Sequence, residues 1–322
     1  MITIWMAALA LAGTTPAQTI PTQYEAGHFF ATPQTAAGQS LRLLVDTGGG
    51  GAAGMYWLSA PAAQRLGLKT GTCLVGRTSL TVATPPAYKA AQGLPSSMGR
   101  CAGRLMVNPG PYTYDGQLGA AYLGTRVWTF DYPRRQLIVE AGDWHRDAAA
   151  RSTLLGFLTN EQGKVVLYFP RIVVRVDGEP LNMLLDTGAT AHPTVSGKKA
   201  AGTETVSGFG VTSYITTSML ERWHKAHPDW TVVENGDDLL APDFTARLIR
   251  VPVVDIAGWS VGPVWFTERP DTAFHGKMAA IMDEPPEGAI GGNVLDRFTL
   301  TMDYPHATAW FRCARDCMAT AP

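Results

Sequence analysis

The chain has 322 residues, 46% of them hydrophobic and 16% charged, with a formal net charge of -1 at pH 7. Such a length accommodates two ordinary domains or one large one with a sizeable core. The near-neutral balance, with no Lys/Arg cluster, excludes the electrostatic footprint of a nucleic-acid or anionic-membrane binder.

The first residues, MITIWMAALALAG followed by TTPAQ, form a short apolar run and then small residues. This is the pattern of a secretory signal peptide over 1–17 cut after Ala17, although the usual Lys or Arg at the start is missing. The run is too short to span a bilayer well and no later segment reaches that length. The expectation is a secreted or periplasmic protein with no membrane association once the signal is removed. Four cysteines, an even number, fit export. Cys73, Cys101, Cys313 and Cys317 permit three connectivities, and local pairing, Cys73 with Cys101 and Cys313 with Cys317, is favoured over a metal site, which would need further Cys or His nearby.

Frequent turns are demanded by 34 Gly and 22 Pro spread along the chain, which favours a mostly β architecture. Gly27 to Thr32 reads as the first strand, and Ser40 to Val45 as a second that runs into Asp46-Thr47-Gly48. The stretch from Ser59 to Gly67 predicts a short helix, with Ser59 as cap, Pro61 in the first turn and Gly67 as the stop. Thr72 to Ala83 alternates as strands do. Thr84 to Gly110, rich in Pro, Gly and Ser, reads as surface loops with a hairpin. Leu118-Gly119 and the block to Leu123 follow, then a strand Val127 to Phe130, a turn at Asp131-Tyr132-Pro133 and a returning strand Gln136 to Glu140.

The chain then repeats itself. Ile290-Gly291 and Asp303-Tyr304-Pro305 follow Leu118-Gly119 and Asp131-Tyr132-Pro133 at one common offset, so the two blocks align without a gap. Asp186-Thr187-Gly188 follows Asp46-Thr47-Gly48 at a smaller offset, so the second copy carries an insertion between its landmarks. An internal duplication of this size predicts two related lobes, 18–150 and 151–322. Ala141 to Gly163 reads as the connection between them. Lys164 to Val176 reads as two β-rich runs, turned at Asp177-Gly178 into Leu181 to Leu185. Gly197 to Gly210 is expected to be a mobile loop and to hold part of the insertion. Thr216 to Ala226 predicts a helix ended by His227-Pro228. Ile249 to Ile256 and Ser260 to Thr267, flanking Gly258-Trp259, predict a hairpin that could lie over a cleft.

An apolar run ending in Asp-Thr-Gly, found at 44–48 and again at 184–188, with a downstream apolar-Gly element at Leu118-Gly119 and Ile290-Gly291, resembles the aspartic proteases. The likeness is to both retropepsin-like and pepsin-like lobes, here two in a single chain. It implies a mostly β, bilobal fold of two pseudo-twofold-related, barrel-like lobes with short helices. It also implies an aspartic endopeptidase in which Asp46 and Asp186 meet, share one proton and activate a water against a peptide bond. Thr47 and Thr187 would lock the two loops together across the axis, and Gly48 and Gly188 would keep side chains out of the space between the carboxyls. No cofactor or metal is implied, the partner is a peptide or protein substrate, and with both loops in one chain a monomer suffices. The alternative is a non-catalytic, bilobal peptide-binding or scaffolding protein derived from an aspartic protease.

Two departures are visible. The residue after the triplet is Gly49 in one copy and Ala189 in the other, where pepsin-like lobes generally carry a Ser or Thr hydroxyl and the retroviral type has Ala. Fewer hydrogen bonds to the charged form predict a weakly acidic optimum. The substrate-binding residues are not legible, and no flap residue can be placed: Tyr88, Tyr112 and Tyr114 are candidates in the first lobe and Trp259 in the second. His224 and His227, spaced three apart, read as a solvated helix face in the absence of a third ligand. Asp131 and Asp303 read as turn caps.

Overall fold

The computed structural model describes residues 16–110 and 112–320, so the apolar start of the expected signal peptide lies outside the described residues. Three large sheets carry the fold. One has eight strands, all from the first half, and runs Thr22–Glu25, His28–Ala31, Leu43–Asp46, Gly116–Gly119, Trp57–Ser59, Leu105–Asn108, Thr78–Ala83 and Thr70–Val75. A ten-stranded sheet from the second half places Glu179–Leu185, Gly288–Ile290 and Ser213–Thr216 side by side at its centre. Between them a six-stranded sheet takes three strands from each half, in the order Gln18–Ile20, Gln136–Val139, Val127–Asp131, Phe298–Asp303, Thr308–Cys313, Arg151–Leu154.

At the centre of that shared sheet the repeat pairs with itself. Val127–Asp131 runs antiparallel to Phe298–Asp303, so that Thr129 faces Thr301, its own counterpart in the second copy, and their hydroxyls lie 2.7 Å apart. A pseudo-twofold axis therefore passes between them. Each half repeats one further device: the strand ending at the Asp-Thr-Gly loop runs parallel to the apolar-Gly strand, with Val45 opposite Leu118 and Leu185 opposite Ile290. Parallel strands buried on both faces need continuous apolar side chains, which Leu43-Leu44-Val45 and Met183-Leu184-Leu185 supply.

Short helices follow their local sequence. Ser59 Oγ accepts from Ala62 N at 3.3 Å at the start of Ala60–Arg65, Pro61 sits in its first turn, and Gly67 takes φ 64° just beyond it. Thr217–Ala226 buries Met219, Leu220 and Trp223 and stops before Pro228. The capping residues Ser59 and Thr216 are farther apart than the two Asp-Thr-Gly triplets and closer than the two apolar-Gly elements. The insertion is therefore divided, part of it lying before the second helix and part after.

Four expectations require correction. Gly197 to Gly210 begins inside a helix, Val195–Ala201, and continues to a tight turn in which Val206 and Phe209 exchange backbone hydrogen bonds of 2.8 and 3.0 Å. Gly197, expected to open that loop, is instead a point of close approach, where any Cβ would strike the carbonyl of Gly236. Of Lys164 to Val176 only Arg171–Val176 is a strand, and within the supposed connection Arg151–Leu154 forms an edge strand. The hairpin of Thr84 to Gly110 is absent; the described hairpin is Thr70–Val75 with Thr78–Ala83, and Leu105–Asn108 adds to it as a third strand. Finally, the hairpin around Gly258 lies between Arg171–Val176 and Cys317–Ala319, and Trp259 Nε1 donates to Phe311 O at 3.0 Å in the shared sheet. Trp259 is thus a packing residue there, with the Arg151 guanidinium over its ring.

Disulfides join Cys73 to Cys101 and Cys313 to Cys317. Among the described residues no helix is long and apolar enough to cross a membrane.

Candidate active site

Each apolar strand delivers its Asp to the point where the halves meet, and the next two residues hold it there. Thr47 Oγ1 donates to Leu185 O at 2.5 Å and accepts from Thr187 N at 3.0 Å. Reciprocally, Thr187 Oγ1 donates to Val45 O at 2.9 Å and accepts from Thr47 N at 3.1 Å. These four crossed bonds are fully buried, the two threonines being 0% and 1% exposed. In that environment each replaces water at no loss, whereas a missing one would leave an orphaned backbone group.

The glycines complete the approach. A Cβ on Gly48 would lie 2.5 Å from Asp186 Cγ and one on Gly188 would lie 2.5 and 2.6 Å from the two oxygens of Asp46, so each carboxyl sits directly over the opposite glycine. The two carboxyls therefore face each other across the axis, close enough for each to act on the other's proton affinity. Burial pushes both carboxyls above the ordinary carboxylate range, and for Asp46 the neighbouring Asp186 charge adds to it. Gly188 N donates to Asp186 Oδ1 at 2.9 Å, and the backbone N–H groups of Gly48 and Gly49 act on Asp46 in the same sense, each partly offsetting the rise. Asp46 Oδ1 is buried with no protein partner.

Several residues around the pair were not legible in the sequence. Gln117 Nε2 donates to Asp46 Oδ2 at 2.6 Å from the adjacent strand. His28 Nε2 lies 3.1 Å from Thr190 Oγ1 across the halves, and burial lowers its pKa to about 4, so it is neutral. Tyr214 Oη donates to Thr190 O at 2.5 Å, with the Arg269 guanidinium 4.2 Å over its ring. Beside the pair a cavity of about 650 Å³ is lined by His28, Phe30, Leu44, Tyr114, Thr190 and Phe209, among others. Of these only Gln117 left a trace beforehand: a polar residue in an element that is otherwise apolar or Gly.

The remaining candidates fall in different places. Tyr114 packs near Trp57 and Phe30 and lines the cavity beside the pair, and its pKa is raised to about 12 by burial, with the Asp46 charge adding to it. Tyr112 lies tilted against Trp57 beside it, ring centres 4.7 Å apart. Tyr88 lies away from the carboxyls, its hydroxyl 2.9 Å from that of Tyr56. Asp131 accepts from Arg134 N at 3.1 Å and Asp303 from His306 N at 3.2 Å, both closing turns. His227 stacks on Trp230 at 4.1 Å and pairs with Asp177, while His224 is exposed. Among the described residues no group of three or more His, Cys, Asp or Glu is placed to hold a metal ion.

Neither the family models nor the curated proteins compared with the sequence gave a match. Among solved structures, the aspartic proteinase from Irpex lacteus is similar over 93% of this chain and 98% of its own, at 12% identity and a TM-score of 0.48. Basic 7S globulin from soybean is similar over 93% and 95%, at 10% identity and a TM-score of 0.46. At such scores the weight rests on the chain's own geometry: duplicated strands, a shared central sheet, and two Asp-Thr-Gly loops interlocked across one axis. By that geometry the chain has the mostly β, bilobal, pepsin-like fold.

Proposed function

We propose that the chain is an aspartic endopeptidase in which Asp46 and Asp186 are the catalytic pair. The observation that carries this reading is the juxtaposition itself: two carboxyls far apart in sequence, each seated over the glycine of the opposite loop and clamped by four crossed threonine bonds. Two buried like charges that close retain one proton between them. The ionised member takes a proton from a water as it attacks the peptide carbonyl, and the protonated member donates a hydrogen bond to the oxyanion that forms. The tetrahedral species then collapses with protonation of the leaving amine, so no covalent acyl-enzyme arises. Thr47, Thr187, Gly48 and Gly188 serve by holding the carboxyls in one plane and leaving the space between them open. The substrate is a peptide or an unfolded protein segment laid along the groove between the lobes. Two disulfides accord with an oxidising compartment, so we place the protein outside the cytosol, after removal of residues 1–17.

Digestion of an unfolded protein between pH 3 and 7 tests the reading. The wild-type chain is expected to cleave with a weakly acidic optimum, to be blocked by pepstatin-like compounds and not by a chelator, and to lose activity in Asp46→Asn. Equal cleavage by Asp46→Asn would sink it. Peptide binding without cleavage in the wild type would favour a scaffolding role instead.

A further inference from the structure

We propose that Gln117 is a positioning residue of the carboxyl pair: its amide fixes one oxygen of Asp46 and supplies the side-chain hydrogen bond that glycine at position 49 cannot. The inference rests on the peptidase reading of that pair.

Gln117 lies on Gly116–Gly119, the strand parallel to Leu43–Asp46, and its Nε2 is 2.6 Å from Asp46 Oδ2. Only 6% of the residue is exposed, so the amide has little water to turn to. A primary amide buried in an apolar element is costly unless it is bonded, and Leu or Ile would fill this place more cheaply. Its partner explains its presence. Space for it comes from Gly49, where any Cβ would land on Gln117 Nε2 and lie 2.5 Å from Asp46 Oδ2. Glycine at 49 and glutamine at 117 are therefore one arrangement: the hydroxyl expected after the triplet is absent, and an amide from the neighbouring strand reaches the same carboxylate. The device is one-sided. The matching position in the second copy is Ala289, packed among Leu184, Phe274 and Met282, with no donor to offer Asp186.

An N–H bonded to a carboxylate favours its ionised form, so the amide holds down the proton affinity of a pair that burial drives up. Other titratable groups facing the pair are Tyr114 and Tyr304 toward Asp46, Tyr132 and Tyr214 toward Asp186, and His28 at Gly188 and Thr190. Burial raises all four tyrosines further above their ordinary value of 10, well outside the acid range. His28, lowered to about 4, titrates within it, so the test is run both in the wild-type background and in His28→Gln.

Gln117→Met keeps the length without the donor, and Gln117→Glu keeps a donor only while protonated. With carbon-13 in the aspartate carboxyls, NMR titration reads the pair directly, Asp46→Asn and Asp186→Asn supplying the assignment. In Gln117→Met the lower of the pair's two steps is expected to rise by about one pH unit, the size of one lost hydrogen bond to a charged group. The acid limb of kcat/KM for peptide cleavage should move with it, kcat falling while KM holds. Gln117→Glu is expected to match wild type at the acid end and to fail earlier as pH rises. An unchanged titration, or a rise in KM at constant kcat, would overturn the proposal. If the titration moves in a chain that cleaves no peptide, Gln117 keeps its role and the peptidase reading falls. Should Gln117→Met not fold, by circular dichroism, Gln117→Glu decides alone.

Discussion

Replacing Thr47 with Val removes one hydroxyl and nearly nothing else, and the crossed bonds allow its cost to be worked out. The change deletes the bond to Leu185 O and the acceptor for Thr187 N, leaving one carbonyl and one N–H buried and unpaired. An orphaned buried backbone group costs about 1–3 kcal/mol, so Thr47→Val, which leaves two, should cost roughly 2–6 kcal/mol. Thr187→Val deletes the other two bonds, those to Val45 O and from Thr47 N, and should cost the same. The two sets share no bond. Because the residues touch, the double variant should nonetheless depart from the sum, by about 0.5–3 kcal/mol. Urea unfolding in neutral buffer, away from the range in which the chain would digest itself, reads these values. For a chain of this length about 3 kcal/mol corresponds to a fall in Tm of roughly 5 °C. Were both single variants within about 0.5 kcal/mol of wild type, the argument that these bonds hold the halves in register would fail.

The pH dependence of stability should have two opposed contributions. His28, buried and held at about 4 against an ordinary 6.5, contributes stability that is intact above pH 6.5 and is lost as pH falls through 4. His28→Gln should therefore be more stable than wild type by about 3 kcal/mol at pH 4 and equal to it at pH 7.5, as read from urea midpoints; equal midpoints at both would contradict the assignment. The carboxyl pair acts the other way, since its raised pKa values make its contribution present in acid and lost as pH climbs through them. Asp186→Asn should accordingly gain on wild type between pH 4 and 7, and a constant difference over that range would refute the shift. Removing the Cys73–Cys101 bridge, which spans 28 residues, should cost about 3.5 kcal/mol by chain entropy, against about 2 kcal/mol for the bridge spanning four, Cys313–Cys317. Thermal melts of the paired Ala variants would reverse this order if loop length is not what counts.

Legibility in the sequence followed how local each determinant was. Asp46-Thr47-Gly48 and its copy could be read because strand, carboxyl and turn are contiguous, and the copying supplied the contact that one motif alone leaves open. The helices Ala60–Arg65 and Thr217–Ala226 were equally plain from their Ser or Thr caps and Gly or Pro stops, whereas Val195–Ala201, capped by Thr194 and stopped by Gly202, was not. Long-range packing was not: Gly197 looked like a loop residue because its reason, the carbonyl of Gly236, lies in a distant strand, Val232–Leu240. Arg151–Leu154 is four residues at a sheet edge, too short to show a period. Gln117 and His28 point across strands and halves; the apolar and Gly neighbours of Gln117 mark it only as out of place, and nothing beside His28 marks it at all. The presence of an insertion came from two unequal offsets, whereas its division on either side of Thr217–Ala226 needed the second helix cap to be seen.

The shared sheet carries one further consequence. Its middle pair joins a segment to that segment's own duplicate, so the seam is self-complementary, and the stretch from 140 to 150 that ties the halves covalently contributes no strand to it. A protease nick in that tether would therefore leave the pieces zipped together by backbone ladders. Either half made alone would bare an edge that fits a second molecule of itself, which makes a head-to-head twin its natural fate.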